Sequence, residues 1–151
     1  KLKNNYRFII IGDGGGIDKL RSVLKENRLE SIVELRPPVP RNILVEVYQN
    51  SHFLFLHLNN LKAFEKVLPS KLFEYSAFDK PILAGVKGFA QDFIENNVSN
   101  SIVFSPTKAN ELVDKLNKYE YKNVDRSEFV EKFKRENINI DMVKTIVSYA
   151  K

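Results

Sequence analysis

Tyr6-Arg7-Phe8-Ile9-Ile10-Ile11-Gly12-Asp13-Gly14-Gly15-Gly16 is an apolar run that ends abruptly in glycines. A run of this kind, with no polar alternation, suits a strand covered on both faces, as in the middle of a parallel sheet. The glycines permit a tight turn and close backbone approach. Ile17, Leu20, Val23 and Leu24 then recur at helical spacing up to Arg28, and Ile32-Val33-Glu34-Leu35 forms a second strand. Strand, glycine turn, helix and strand begin a βα alternation.

The alternation continues along the chain. Arg36-Pro37-Pro38-Val39-Pro40 is a loop, because each proline lacks an N–H and restricts the residue before it. A helix over about 40–50 leads to a third strand, Ser51-His52-Phe53-Leu54-Phe55-Leu56, and a long irregular connection covers 58–68. Proline suits the first helical position, so 69–78 is a short helix starting at Pro69, with Lys80-Pro81-Ile82-Leu83-Ala84 the fourth strand. Gly85 and Gly88 loosen the turn before a helix with an apolar stripe of Phe89, Ala90, Phe93 and Ile94. Ser101-Ile102-Val103-Phe104 is the fifth strand, and Ser105-Pro106 caps a helix bearing Ala109, Leu112, Val113 and Leu116. The pattern predicts an α/β domain with a Rossmann-like parallel sheet and helices on both faces. Beyond Tyr119 two more helices, marked by Phe129, Val130 and Phe133 and by Met142, Val143, Ile146 and Val147, form a helical appendage over 120–151.

Composition narrows the function classes. The chain has 151 residues, 43% of them hydrophobic, enough for one core and a single domain over 1–151. With no cysteine there is neither a disulfide framework nor a thiolate metal site, which fits a cytoplasmic setting. The longest apolar runs fall far short of the roughly 20 residues that cross a bilayer. The net charge of +5 is spread among alternating acidic and basic residues, a solvated surface rather than a nucleic-acid groove. Mild attraction to phosphate-bearing ligands or to an anionic membrane surface stays open. The start at Lys1, without an initiator methionine or signal-peptide pattern, reads as an excerpt of a longer protein.

In an open parallel sheet, ligands bind outside the carboxyl ends of the strands, so residues 12–16, 36–39, 57–68 and 85–88 should converge there. The turn Gly12-Asp13-Gly14-Gly15-Gly16 before a helix suits a phosphate. It also invites a nicotinamide-dinucleotide reading, with Glu34 about twenty residues on as the ribose acceptor, but the fingerprint would need glycine where Ile17 stands. A sharp turn with no ligand is the third reading, and it goes with a non-catalytic interaction domain in which Ser70, Lys71 and Glu74 hold no ligand either. On the helix from Pro69, Ser70, Lys71 and Glu74 share a polar face while Leu72, Phe73 and Ala77 supply packing. The Ser70 and Lys71 amides can take a phosphate, and Glu74 can accept from a sugar diol. A solvated face with an ordinary Lys71–Glu74 pair looks the same in sequence.

Val67-Leu68-Pro69-Ser70-Lys71-Leu72-Phe73-Glu74-Tyr75-Ser76-Ala77-Phe78-Asp79-Lys80-Pro81-Ile82-Leu83 resembles the donor-site segment of the family 4 retaining glycosyltransferases of GT-B architecture. The closest likeness is to bacterial members that build capsule, O-antigen or exopolysaccharide. Gly12-Asp13-Gly14 with Leu20, Tyr48, and Val103-Phe104-Ser105-Pro106 with Leu112 fall where that family's C-terminal domain has similar residues. The resemblance runs from Tyr6 to about Leu116, and its specific part is 69–83.

The resemblance implies a metal-independent, cofactor-free domain that binds a UDP- or GDP-linked sugar. Glu74 stands for the second glutamate of the family's Glu-x7-Glu motif and would bind the ribose hydroxyls, while Ser70 and Lys71, with Pro69 and Leu72 beside them, would frame the diphosphate. Gly12 and Gly14 would line the donor, and Arg36 and Val39 occupy the place of the nucleobase loop. The motif's first glutamate falls on Lys66, with Glu65 one residue out of register; either is a candidate for the donor-sugar end and for a catalytic part. The family's phosphate-gripping Arg and Lys precede the Gly12 turn, and its acceptor site lies in an N-terminal domain. The chain alone is therefore expected to lack transferase activity. Its partners would be the nucleotide sugar and that N-terminal domain, not nucleic acid, with peripheral contact to a membrane or lipid-linked acceptor at the inner face left open.

His52 and His57 flank a strand five residues apart, on opposite faces, so a shared metal is not expected. His57, at the strand's carboxyl end, reads either as facing the donor or as a satisfied structural histidine. The eleven phenylalanines and six tyrosines fall mainly at core positions. Tyr75 lies in the packing half of its helix. The final helix, over 141–150, is read either as a brace for the N-terminal domain or as a plain stabilising helix.

Overall fold

The computed structural model describes residue 2 and residues 5–150. Strands β1 (Phe8–Ile11), β2 (Val33–Arg36), β3 (Leu54–His57), β4 (Ile82–Gly85) and β5 (Ser101–Phe104) alternate with helices α1 (Ile17–Glu26), α2 (Arg41–Asn50), α3 (Ser70–Ser76), α4 (Phe89–Asn97) and α5 (Ala109–Lys118). A 3-10 turn, Lys62–Lys66, interrupts the connection after β3. Helices α6 (Ser127–Phe133) and α7 (Arg135–Tyr149) follow. The α/β class, the parallel pairing and the C-terminal helices are those the sequence pattern predicts.

The chain divides into two compact units, residues 1–47 and 48–151. In the first, β1 and β2 pair in parallel, with Phe8 opposite Val33 and Ile11 opposite Arg36. In the second, β3, β4 and β5 form a three-stranded parallel sheet with β4 in the centre. The five predicted strands thus fall into two ladders. The expectation that β1 is covered on both faces needs correction, since Phe8, Ile9 and Ile10 are each about 40% exposed. Its apolar run specifies a strand, but a two-stranded ladder does not bury both of its faces.

Among the described strands only β4 has every residue buried. On β3 burial alternates, with Leu54 and Leu56 inside and Phe55 and His57 outside. The register puts His57, Gly85 and Phe104 side by side on one face. A side chain at Gly85 would overlap the His57 and Phe104 rings, so glycine here reflects close approach rather than a loose turn.

Two helix starts differ from the sequence expectation. Pro69 is the N-cap of α3, in extended backbone, and the helix begins at Ser70. Its carbonyl accepts from the Leu72 N–H at 3.0 Å, so the fixed proline φ sets the approach to the helix. Ser105 and Pro106 do not cap α5, whose N-cap is Lys108 with no side-chain cap bond. Instead the Ser105 N–H donates to Glu111 Oε2 at 2.9 Å, and Lys115 Nζ donates to Glu111 Oε1 at 2.8 Å and to the Val103 carbonyl at 2.6 Å.

Those contacts, the Lys115 hydrogen bond first and the Ser105 amide next, push the Glu111 pKa from 4.5 down to about 2. A depressed carboxyl stabilises the fold fully above its unfolded pKa, and the contribution is lost as pH falls through the folded value. The stability advantage of the parent over Glu111→Gln, read as urea midpoints, should therefore hold above pH 4.5 and shrink toward pH 2. The carboxylate is about one-third exposed, so the effect is modest. A difference that does not change with pH would contradict this assignment.

The segment after α5 is stitched to the three-stranded sheet. The Val124 N–H donates to the Asp79 carbonyl at 3.0 Å, and Asn100 Nδ2 donates to the Lys122 carbonyl at 2.8 Å. The buried Arg126 guanidinium donates to the carbonyls of Phe78, Lys80, Ser99 and Asn100, at the chain entrances to β4 and β5. Phe73 of α3, Phe93 of α4, and Phe129 and Phe133 of α6 stack into one aromatic cluster, with ring centroids 4.6 to 6.5 Å apart. The apolar side chains of α7, including Met142, Val143, Ile146 and Val147, are half exposed. No described helix is long and apolar enough to cross a membrane.

Candidate functional site

Helix α3 is held by the full burial of Leu72 and Ser76, which leaves Ser70 exposed and Lys71 and Glu74 half-buried. Lys71 Nζ donates to Glu74 Oε2 at 2.6 Å and to the Tyr48 hydroxyl at 3.2 Å. Burial works against the ammonium charge, but these hydrogen bonds outweigh it and raise the Lys71 pKa above the ordinary lysine value. Tyr48 is buried and meets the Tyr75 ring edge-on at 5.2 Å. Burial first, then the neighbouring Tyr48, pushes the Tyr75 pKa up to about 12, so Tyr75 stays a neutral wall of the site.

The first-turn N–H groups of Ser70 and Lys71 have no carbonyl one turn back to bond. Beside them stand an ammonium with a third proton to offer and, one turn deeper, a carboxylate. This face can take an anion at the helix start and a hydroxyl donor behind it. The sequence singled out Ser70, Lys71 and Glu74 but not the function of Tyr48 as the partner of Lys71. The two are 23 residues apart, and no spacing rule joins them.

The carboxyl edge of the three-stranded sheet gathers the connections after β3, β4 and β5. The Leu58 N–H donates to the Gly85 carbonyl at 3.0 Å and Lys87 Nζ to Asn60 Oδ1 at 3.1 Å. Glu65 and Lys66 are both exposed on the 3-10 turn. His57 Nε2 accepts from the Thr107 N–H at 3.3 Å, which supports the satisfied structural reading of this histidine. A hollow of about 440 Å³ opens at the start of α5, lined by Ser105, Thr107, Lys108, Asn110 and Glu111, and does not include the α3 residues.

In the 1–47 unit, the Gly12 N–H donates to the Arg36 carbonyl at 3.1 Å, which joins the two loops at the carboxyl edge of that ladder. The Gly14 N–H donates to Asp13 Oδ1 at 2.8 Å, so this amide is turned toward its own neighbour's carboxylate. Glu34 accepts from Arg7 Nη2 on one oxygen and Arg36 Nε on the other, each at 2.7 Å. Hydrogen bonding to Arg36 is the main cause that holds its pKa below the ordinary carboxylate value. Arg36 thus reaches back to Glu34, and Val39 is half-buried. Among the described residues no three His, Cys, Asp or Glu side chains form a group that could hold a metal ion.

The sequence profile of the family described as glycosyl transferases group 1 matches residues 1–137. No curated protein and no solved structure matches the chain. With the profile covering most of its length and a Rossmann-like α/β fold beneath it, the chain belongs to the group 1 glycosyl transferases.

Proposed function

We propose that this chain is the nucleotide-sugar donor-binding domain of a retaining glycosyltransferase of GT-B architecture, acting in bacterial cell-surface polysaccharide assembly at the cytoplasmic side of the membrane. The observation that carries the reading is the start of α3, where two first-turn amides, the Lys71 ammonium and the Glu74 carboxylate lie within one turn. In this reading the diphosphate of a UDP- or GDP-linked sugar takes the Ser70 and Lys71 N–H groups and the third ammonium proton, and Glu74 accepts from the ribose hydroxyls. Glu65 and Lys66 serve the sugar end. Charge that develops on the departing diphosphate meets donors already fixed by the helix, with no metal required. The domain works with an N-terminal domain that brings the acceptor, a lipid-linked one among the candidates.

The dinucleotide alternative needs Glu34 as ribose acceptor, and both oxygens of Glu34 already face arginines. Titration with UDP, GDP and NAD separates the two readings. UDP or GDP should shift the Ser70 and Lys71 amide resonances saturably while NAD leaves them in place. A response to NAD alone, or none to either diphosphate, would overturn the donor-site reading.

A further inference from the structure

We propose that Gly88 is a positioning residue that fixes the sugar-end turn of the donor site through direct backbone contact with Glu65. The inference rests on the donor-site reading and assigns Gly88 a part that its place in a turn does not suggest. Gly88 is the N-cap of α4 with φ +61°, a left-handed conformation that favours glycine. A Cβ at this position would overlap the Glu65 carbonyl oxygen and would lie 2.9 Å from the Glu65 Cβ. The 3-10 turn and the start of α4 therefore touch backbone to backbone, and only the missing side chain lets them.

The contact has no slack. The Lys87–Asn60 hydrogen bond and the Leu58–Gly85 bond tie the chain before Gly88 to the residues before the turn. The hollow between them, lined by Asn60, Leu61, Phe64, Glu65, Lys87 and Pro106, measures about 10 Å³, roughly the room of one water. Glu65, rather than Lys66, is the residue pressed on Gly88, and its side chain is exposed beyond the carboxyl ends of β3 and β4, where ligands of parallel sheets bind. A side chain at Gly88 would push the turn, and with it the Glu65 carboxylate, out of place. Helix α3 is anchored separately by Leu72 and Ser76 and keeps its diphosphate groups.

The test compares Gly88→Ala and Glu65→Ala with the parent chain by calorimetric titration. Each sugar nucleotide (UDP-glucose, UDP-N-acetylglucosamine, GDP-mannose) is paired with its own nucleoside diphosphate. For the sugar nucleotide that the parent prefers, Gly88→Ala should lose roughly tenfold in affinity while UDP or GDP binding is kept. Glu65→Ala retains the Cβ of an exposed residue, folds normally, and should show the same selective loss. The double variant should lose no more than either single one. The proposal is overturned if Gly88→Ala weakens both ligand types equally, if Glu65→Ala leaves their ratio unchanged, or if the two losses add. A parent that binds no nucleoside diphosphate would instead overturn the underlying donor-site reading.

Discussion

Glu74→Ala should weaken UDP or GDP binding by about 10- to 100-fold, the largest loss expected from any single side chain of α3. A hydrogen bond to a charged group contributes about 1.5–3 kcal/mol, and each 1.4 kcal/mol is tenfold in affinity. Glu74 sits one turn behind the Ser70 and Lys71 amides, and its exchange for alanine removes the charged acceptor proposed for the ribose diol. Lys71 would keep its hydrogen bond to Tyr48 and remain charged. Glu74→Gln, with an acceptor but no charge, should fall between parent and alanine variant. Calorimetric titration measures all three, and an alanine variant that binds as tightly as the parent would refute the ribose assignment.

Arg126→Met should produce the largest loss of stability, about 3 kcal/mol or more, with little change in diphosphate affinity at α3. The guanidinium donates to four carbonyls in a buried position; the Asn100 carbonyl also accepts from the Ile82 N–H at 3.2 Å, and each carbonyl left without a donor costs about 1–3 kcal/mol. Methionine fills much of the volume and restores none of the donors. Arg126→Lys should recover only part of the loss, since an ammonium offers three protons from one point and cannot span the fork's partners. Urea unfolding measures the change, and at 1–3 kcal/mol per molar the midpoint should drop by about 1 M or more. A loss below about 1 kcal/mol would mean that water replaces the guanidinium at these carbonyls.

The sequence carried the element order because apolar runs and helical stripes are local signals, and all five strands appear within three residues of their expected places. It could not carry the burial of those strands. Phe8-Ile9-Ile10-Ile11 reads like Ile82-Leu83-Ala84, yet only the second has neighbours on both edges. The polar face of α3 was legible from the spacing of Ser70, Lys71 and Glu74. Tyr48 and Gly88 were not, because their partners lie 23 positions away in both cases and are joined by packing alone. Arg126 gave no sign at all, since a lone arginine before a helix is ordinarily a surface residue.

The Arg126 clamp also has a direction in time. Its carbonyl partners at Phe78, Lys80, Ser99 and Asn100 leave the ribosome 26 to 48 residues ahead of it. At about 5–20 residues per second, the carbonyls of Phe78, Lys80 and Ser99 therefore spend seconds bonded to water. β4 and β5 can pair during that interval, the Asn100 carbonyl taking the Ile82 N–H, and the amino end of the sheet gains its remaining donors when Arg126 arrives.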